Sequence, residues 1–320
     1  MNSFEIIPDS SCDMTESIRK KFGINHIIRG VVYKPDGTQI LADIDWKTTS
    51  PEDYYNSMKG RKVLYKTATP PMGEIIDIFE PVLKSGKDIL SISLSSSISG
   101  TYNAVKNVAK DLLKKYPERK IICVDSLRYS SATALLITYA CKKRNSGSSI
   151  EETAEYINEL KHSIHQMGPI DDLFFCVKTG RITNFQAFFG TLIGVNSLGD
   201  FGKGGLAAVL GKVKGHQAAL DVTLKYIKET IKNPEEQIIF IGHSNREKSA
   251  NILAERIRES LNPKDIIINP LGMSCGASIG PGLCAAYYIG SPISDGESDE
   301  RILMEKLIKE NNSNKTEMKK

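Results

Sequence analysis

The hydroxyl groups best placed for chemistry lie in one short segment, which follows an apolar run ending at Leu94. The helix predicted over Thr101–Lys115 starts there, and its first turn presents free N–H groups and the positive end of the helix dipole. Such a turn can bind an anion with neutral donors, although ordinary helix capping is an alternative interpretation. No Gly-Lys-Ser/Thr signature is present, so a P-loop is not predicted. The segment contains Ser95, Ser96, Ser97, Ser99 and Gly100, where glycine permits close approach to a ligand.

Two other predicted strands of the first half also end in polar side chains. Asp9–Ser11 follows the strand at Phe4–Ile7, and the strand at Lys120–Ser126 ends in Asp125 and Ser126. Strands alternate here with helices, which predicts a largely parallel sheet covered on both faces. Ligands of such sheets bind beyond the carboxyl ends of the strands. We therefore expect the polar strand ends to form the rim of a pocket.

The second half of the chain shows a different pattern, and the expected division is residues 1–165, 166–290 and 291–320, the last a helical and polar tail. A helix predicted over Ile150–Gln166 places His162 and His165 on one face, without a third residue that would complete a metal site. The remaining predictions are a strand at Asp172–Lys178, an apolar helix at Asn184–Ile193, a hairpin of Ser197–Phe201 with Leu206–Val213, a turn at Gly276–Gly282 and a strand at Cys284–Ile289.

Bulk composition limits the classes of function. The formal net charge is +4, and no basic stripe with interleaved aromatic residues is present, so nucleic-acid binding is not predicted. The N-terminus lacks the features of a signal peptide, and no apolar run approaches about 20 residues, so a cytoplasmic protein without a transmembrane segment is expected. None of the six cysteines forms a Cys-x-x-Cys pair, so neither a zinc site nor a redox motif is indicated.

Five short motifs occur in one order along the chain: Asp9-Ser-Ser-Cys-Asp13, Thr67-Ala-Thr-Pro70, Leu94-Ser-Ser-Ser-Ile-Ser-Gly-Thr-Tyr102, Lys178-Thr-Gly-Arg-Ile182 and Gly280-Pro-Gly282. Together they resemble the motifs of the DegV family, over about Phe4 to Gly290. The resemblance implies a two-domain α/β fold, with a ligand tunnel between a largely parallel N-terminal sheet domain and a second α/β domain.

The family resemblance also implies a lipid carrier that is not catalytic alone and needs no cofactor besides its bound ligand. It implies a FakB-like subunit that buries a long-chain fatty acid and presents the carboxyl group to an ATP-dependent fatty acid kinase. The acyl phosphate would then enter phospholipid synthesis, which leaves a transient membrane contact open. Apolar residues suited to the tunnel walls, or alternatively to an ordinary core, are Phe185, Phe188, Phe189, Leu192 and Ile193.

Individual site residues follow from the motif matches. Thr67 matches a carboxylate-binding threonine, and its alternative is a turn hydroxyl bonded only to its own backbone. Ser95, Ser96 and Ser99 match the serine-rich loop, and Ser96 with the adjacent backbone is the favoured contact, although the three are not separated by sequence alone. Arg181 matches an arginine expected to act on the carboxylate side or in kinase docking, and its alternative is a solvated surface residue.

Two departures from the family pattern bear on the ligand. Ser278 stands where the family commonly has a histidine, and serine cannot carry a charge near neutral pH. Thr67-Ala-Thr-Pro70 replaces the usual Thr-Ser-Gln-Pro. Two alternatives therefore remain, a DegV-fold binder of a different ligand and a sugar- or phosphotransfer enzyme with a divalent ion at Asp9 and Asp125. The sequence does not specify acyl chain length, kinase coupling or oligomeric state.

Overall fold

A computed structural model of the chain describes residues 3–183 and 194–317. The chain folds into two compact units, and the mixed α/β fold class predicted from the sequence is confirmed. One unit comprises Met1–Lys161 with Leu271–Ala277, and the other comprises His162–Pro270 with Ser278–Lys320. The first unit thus includes a short segment from late in the sequence. The division at residues 165 and 290 stays a prediction.

Over its described residues, the first unit contains two three-stranded sheets, six helices and most of a further helix in its late segment. Its strands are β1 (Phe4–Pro8), β2 (Val31–Tyr33), β3 (Gln39–Leu41), β4 (Lys66–Ala68), β5 (Asp88–Ser93) and β6 (Ile121–Asp125). Its helices are α1 (Glu16–Phe22), α2 (Pro51–Met58), α3 (Met72–Lys84), α4 (Thr101–Lys115), α5 (Ser131–Asn145) and α6 (Ile150–Leu160). One sheet has the order β1-β5-β6 and is parallel, and the other has the order β3-β2-β4 and is antiparallel.

The parallel sheet confirms the arrangement predicted for the first half of the chain. Strand β5 is buried along its whole length, and Ile89 packs with Phe79 of α3 and Val105 of α4 in one apolar core. Burial on both faces explains why this strand reads as a nearly continuous apolar run. Because all three strands are parallel, their carboxyl ends lie along the same edge.

The second unit is built on a seven-stranded sheet with the order β12-β11-β13-β7-β9-β10-β8. Neighbouring strands are antiparallel except at the β11–β12 and β8–β10 pairs. The hairpin predicted around Gly202–Gly205 is confirmed as β9 with β10. The elements are β7 (Ile164–Ile170), α7 (Phe174–Thr179), β8 (Ile182–Thr183), β9 (Val195–Phe201), β10 (Ala207–Lys214), α8 (His216–Thr230), β11 (Ile238–His243), α9 (Glu247–Leu261), β12 (Asp265–Pro270), β13 (Cys284–Ile289) and α11 (Ser298–Glu317). Helix α10 (Met273–Ile279) lies between β12 and β13 in the sequence, and its residues up to Ala277 belong to the first unit.

Two sequence predictions at the start of this unit are wrong. The helix predicted to reach Gln166 ends at Leu160, and Ile164–Ile170 forms β7, so His162 and His165 do not share a helix face. The strand predicted over Asp172–Lys178 is replaced by the helix α7, and the Asp172 side chain before it accepts the Phe174 N–H at 2.9 Å. A turn in which Asp172 bonds the backbone two residues later therefore precedes a short helix, in a segment whose apolar pattern is β-like.

Two predicted turns also contain regular structure. The break expected at Thr67–Pro71 includes the end of β4, and the turn expected at Gly276–Gly282 overlaps α10. Gly280 and Gly282 follow that helix with φ angles of 74° and 109°, which suit glycine. The apolar helix predicted over Asn184–Ile193, with its proposed tunnel-wall residues, lies outside the described residues.

Candidate functional site

Three polar strand ends meet at the carboxyl edge of the parallel sheet. Asp9 Oδ2 accepts the Leu94 N–H at 2.8 Å, and Asp125 Oδ1 accepts the Ser96 N–H at 3.1 Å. The serine-rich turn after β5 is therefore held from both sides by carboxylates that follow β1 and end β6. This confirms the sequence-based expectation that these polar ends share one edge.

The backbone N–H groups of the serine-rich turn are largely used inside the protein. The Ser95 N–H donates to Arg128 O at 2.8 Å, the Ser97 N–H to Ser95 Oγ at 3.2 Å and the Ile98 N–H to Ser95 O at 3.2 Å. With Leu94 and Ser96 bonded to aspartates, each N–H from Leu94 to Ile98 has an acceptor. Side-chain hydroxyls, rather than these N–H groups, are therefore the donors that this turn presents.

The three serines that the sequence could not separate have different environments. Ser95 is fully buried, Ser96 is exposed and Ser99 is half-buried. The Ser95 hydroxyl accepts the Ser97 N–H, and the Ser99 hydroxyl lies 2.9 Å from Thr101 Oγ1. Ser95 and Ser99 therefore shape the turn, whereas Ser96 is the one of the three that is exposed. Assignment of the ligand contact to Ser96 stays a prediction.

The motif that contains Thr67 lies beside the start of α4. Thr67 is half-buried on β4, where it pairs with Val32 of β2. A Cβ atom added at Gly100 would lie 3.2 Å from Thr69 Cγ2, which is tighter than ordinary van der Waals contact. Glycine at position 100 therefore allows a close approach between two motifs that are about 30 residues apart in the sequence. Gly100 itself has a φ of −76°, so close packing rather than backbone strain explains it.

Ser274, from the segment Leu271–Ala277 of the first unit, lies beside Ser10 at the end of β1. Ser10 Oγ accepts the Gly30 N–H at 3.1 Å and lies 3.2 Å from Ser274 Oγ. The Cys275 thiol donates to the Ser11 carbonyl oxygen at 3.2 Å. Sequence analysis did not identify Ser274, because it is 264 residues away from Ser10 and no local pattern marks it.

Two buried acids accompany these serines. Burial raises the pKa of Asp9, although the N–H groups of Ser11 and Leu94 donate to its carboxylate. Burial likewise raises the pKa of Asp13 from its ordinary value of 3.8 to about 7, while the Ser130 hydroxyl donates to Asp13 Oδ2 at 2.6 Å. A Cβ atom at Gly272 would lie 2.8 Å from Asp13 Oδ1, so glycine is needed there for the carboxylate to fit.

Two cations that the sequence analysis did not single out lie close to this edge. Lys161 Nζ donates to the backbone carbonyl of Asp125 at 2.9 Å, and burial lowers the pKa of this lysine. Arg128 is fully buried, and its Nη1 donates to Leu127 O at 2.7 Å. Neutral hydroxyls are therefore not the whole electrostatic environment of the turn.

The remaining predicted site residues belong to the second unit. Arg181 follows Gly180, whose φ of 70° ends α7, and its guanidinium donates to the Thr179 carbonyl. This contact is typical of a cation at a helix C-terminus. Ser278 is half-buried near the end of α10. Their proposed roles toward a ligand stay predictions.

The carboxylates at the sheet edge serve as hydrogen-bond acceptors. Asp9 accepts from Ser11 and Leu94, and Asp125 accepts from Ser96 and Leu127. Over residues 3–183 and 194–317, no group of three or more histidine, cysteine or acidic side chains is arranged to hold a metal ion. Within the same ranges, no helix combines the length and apolar character needed to cross a bilayer.

The fold and this edge define a two-unit α/β protein with a hydroxyl-rich site at the strand ends. A family model described as "Uncharacterised protein, DegV family" matches residues 3–291, and the chain belongs to the DegV family. A DegV domain-containing protein of Clostridium perfringens is 31% identical over 290 residues, which is 91% of this chain and 98% of the relative.

Solved structures share the same fold. A Thermus thermophilus DegV family protein described by its fatty acid binding has a TM-score of 0.79 at 20% identity, over 91% of this chain and 100% of its own. A stearic acid-binding protein of Eubacterium ventriosum also has a TM-score of 0.79, at 21% identity, over 90% of this chain and 98% of its own. At these identities the likeness establishes the fold.

Proposed function

We propose that the protein binds a long-chain fatty acid and holds the carboxylate at the serine-rich turn. The observation that carries this proposal is the exposed Ser96 hydroxyl, on a turn whose N–H groups are already bonded and which lies beside the Thr67 motif. Membership of the DegV family and structural likeness to two fatty acid-binding proteins support it. Thr67, Ser96 and Ser278 are the proposed hydroxyl contacts, with Ser95, Ser99 and Gly100 shaping the turn.

In a fatty acid ligand, the acyl tail supplies most of the affinity and the carboxylate determines the orientation. Burial of one methylene group contributes about 0.8 kcal/mol, so a C16 tail offers roughly 12 kcal/mol before the entropic costs of binding. The head group adds less and requires only a few polar contacts to be oriented. A shallow set of hydroxyls such as that on the turn is therefore sufficient for the polar end.

We further propose that the protein acts as a non-catalytic carrier in the cytoplasm. A separate ATP-dependent fatty acid kinase would phosphorylate the carboxylate while the carrier holds it, and the acyl phosphate would serve phospholipid synthesis. The hydroxyls of Thr67 and Ser96 support this role, because a hydroxyl can orient a carboxylate without forming an ion pair with it. Arg181 is the proposed partner-docking or head-group cation.

Native mass spectrometry of protein purified from cells tests the binding function directly. We expect a mass increase that corresponds to one fatty acid of about C14 to C20, which organic extraction removes and added fatty acid restores. Protein that is consistently empty and takes up no fatty acid would contradict the proposal. Metal-dependent ATP hydrolysis by the protein alone would instead favour a phosphotransfer enzyme.

The carrier function needs a second assay with a bacterial fatty acid kinase and ATP. We expect acyl phosphate only when carrier, kinase and fatty acid are all present. Arg181→Ala should slow this reaction with little change in fatty acid affinity, whereas Lys214→Ala, which removes an exposed lysine of β10, should slow neither. If the protein binds fatty acid but the kinase does not phosphorylate it, the binding function stands and the carrier function is refuted.

A further inference from the structure

We propose that Asp125 is a positioning residue for the ligand head group, which it would not itself touch. Its carboxylate accepts the Ser96 N–H at 3.1 Å and thereby fixes the backbone that carries the exposed Ser96 hydroxyl. This inference rests on the proposed function, because it concerns the orientation of a carboxylate ligand at the same turn.

The carboxylate of Asp125 joins two neighbouring turns. Asp125 Oδ1 also accepts the Leu127 N–H at 3.1 Å, in the turn that follows its own strand. Strands β5 and β6 pair up to Ser93 and Asp125, and the Ser126 N–H donates to Ser93 O at 3.0 Å. The two turns leave the sheet side by side, and a single side-chain oxygen ties them together beyond the last strand pair.

Asp125 is a better candidate for this role than Asp9 at the other side of the turn. Asp9 is buried and also accepts the N–H and hydroxyl of Ser11, so its loss would disturb the end of β1 as well. Asp125 is half-buried, and the Ser96 N–H is the only donor outside its own turn among the bonds described for its carboxylate. Replacement of Asp125 should therefore loosen the serine turn with little effect on the sheet.

The charge and the acceptor function of Asp125 have opposite consequences for a carboxylate ligand. A negative charge near the ligand carboxylate repels it, whereas the hydrogen bond to Ser96 orients the donor that binds it. Asn in place of Asp keeps an acceptor oxygen and removes the charge. Asp125→Asn should therefore bind a fatty acid at least as tightly as the wild type, and Asp125→Ala should bind it more weakly.

Palmitic acid and 1-hexadecanol, titrated into delipidated full-length protein, separate head-group positioning from binding of the tail. We expect Asp125→Ala to weaken palmitic acid binding about five- to tenfold and hexadecanol binding less than about twofold. A hydrogen bond from Ser96 to the carboxylate of palmitic acid is charge-assisted and therefore stronger than one to the hydroxyl of hexadecanol. Amide hydrogen exchange at Ser96 should accelerate in Asp125→Ala and remain slow in Asp125→Asn. Asp111→Ala, which removes an exposed acid of α4, should match the wild type in all three measurements.

Each contrary result has a distinct meaning. Equal losses for the acid and the alcohol in Asp125→Ala would indicate a purely structural role and overturn the inference. Asp125→Asn as weak as Asp125→Ala would show that the charge matters and not the acceptor, and would also overturn it. Wild-type protein that binds neither ligand would refute the proposed function itself, whereas wild-type binding with unchanged Asp125→Ala would refute only the positioning role.

Discussion

Two of the hydrogen-bond networks centred on aspartates differ sharply, one at the sheet edge of the first unit and one inside the second unit. In the inner network, Asp200 Oδ1 accepts the N–H groups of Gln166 and Phe201 at 2.8 and 2.7 Å. Asp200 Oδ2 lies 2.5 Å from His165 Nδ1 and accepts the Tyr226 hydroxyl at 3.1 Å. Every one of these donors is buried, so the network is closed to ligands.

The imidazole of His165 shows how complete the inner network is. Its Nε2 lies 2.7 Å from the Ser291 carbonyl oxygen, and its ring stacks on Tyr288 at 5.4 Å between centroids. Because the Ser291 carbonyl oxygen can only accept, Nε2 donates to it, and a hydrogen bond joins Nδ1 to Asp200 Oδ2. Burial and the Asp200 carboxylate together raise the pKa of Tyr226, which keeps its hydroxyl as a donor.

The difference between the networks separates stability from binding. Asp200 and its partners satisfy one another, whereas Asp9 and Asp125 bind the backbone of a turn and leave the Ser96 hydroxyl exposed. A buried charge without its partner is strongly destabilising, while an exposed hydroxyl is solvated at little cost. Substitutions in the inner network should therefore change the free energy of unfolding, and substitutions at the edge should change ligand affinity.

Asp200→Ala should have the largest effect. It removes the hydrogen-bond partner of four buried groups, on Gln166, Phe201, His165 and Tyr226, so we expect a loss of about 3–5 kcal/mol in the free energy of unfolding. Urea unfolding followed by circular dichroism measures this loss. A change below about 1 kcal/mol would show that the buried pair contributes little, and the comparison between the two networks would fail.

The sequence did not predict the network around Asp200, because its members lie on different secondary-structure elements. The segment before Gln166 continues the pattern of α6, so His165 was predicted on a helix, whereas it lies on β7. Its partner Asp200 is 35 residues away on β9, and only the antiparallel pairing of β7 with β9 brings the two together. Contacts between strands of this sheet depend on register, which the local pattern does not specify.

The outer site was more predictable because it follows a topological rule. Parallel strands end at one edge, so Asp9, the serine-rich turn and Asp125 could be placed together from sequence order alone. The predicted helix Thr101–Lys115 has the same bounds in the structure. The sequence did not predict that aspartates accept the N–H groups of the turn. It also did not predict that Ser274 and Gly272, from a segment more than 250 residues later, contact Ser10 and Asp13.

Asp13 allows the pH dependence of the edge region to be tested. Burial raises its pKa from 3.8 to about 7. Between these two values the Asp13 carboxyl is protonated in the folded state and ionised in the unfolded state. Its contribution to stability is fully present below about pH 4 and is lost as the pH rises towards 7. Asp13→Asn should flatten this part of the stability–pH profile, measured as the difference from the wild type in urea unfolding.

The comparison with Asp13→Asn isolates one acid from the many that titrate in the same range. Carboxylates with a lowered pKa, such as Glu5 beside Lys87, give stability that is lost as the pH falls, and they are unchanged in the variant. Equal slopes for wild type and Asp13→Asn between pH 4 and 7 would mean that Asp13 is ionised normally in the folded protein.

Thr67→Val combined with Ser96→Ala tests the outer site in the ligand assay. Loss of two hydroxyl donors should weaken fatty acid binding about tenfold, which corresponds to about 1.4 kcal/mol, with a smaller change in the free energy of unfolding. Isothermal titration with palmitic acid measures the affinity, and Ser97→Ala is a matched control on the exposed neighbour of Ser96. Unchanged affinity in the double variant, or an equal loss in Ser97→Ala, would place the head group elsewhere.

Asp111→Ala should have the smallest effect and sets the baseline for the other aspartates. Asp111 is exposed on α4 and pairs only with the equally exposed Lys114 in the contacts described for it, and such pairs contribute little to stability. Its replacement raises the net charge of the protein by one unit, as Asp125→Ala and Asp200→Ala do. We therefore expect no resolvable change in the urea midpoint or in fatty acid affinity. A clear change in either would mean that net charge, rather than hydrogen-bond geometry, accounts for part of the effects at Asp125 and Asp200.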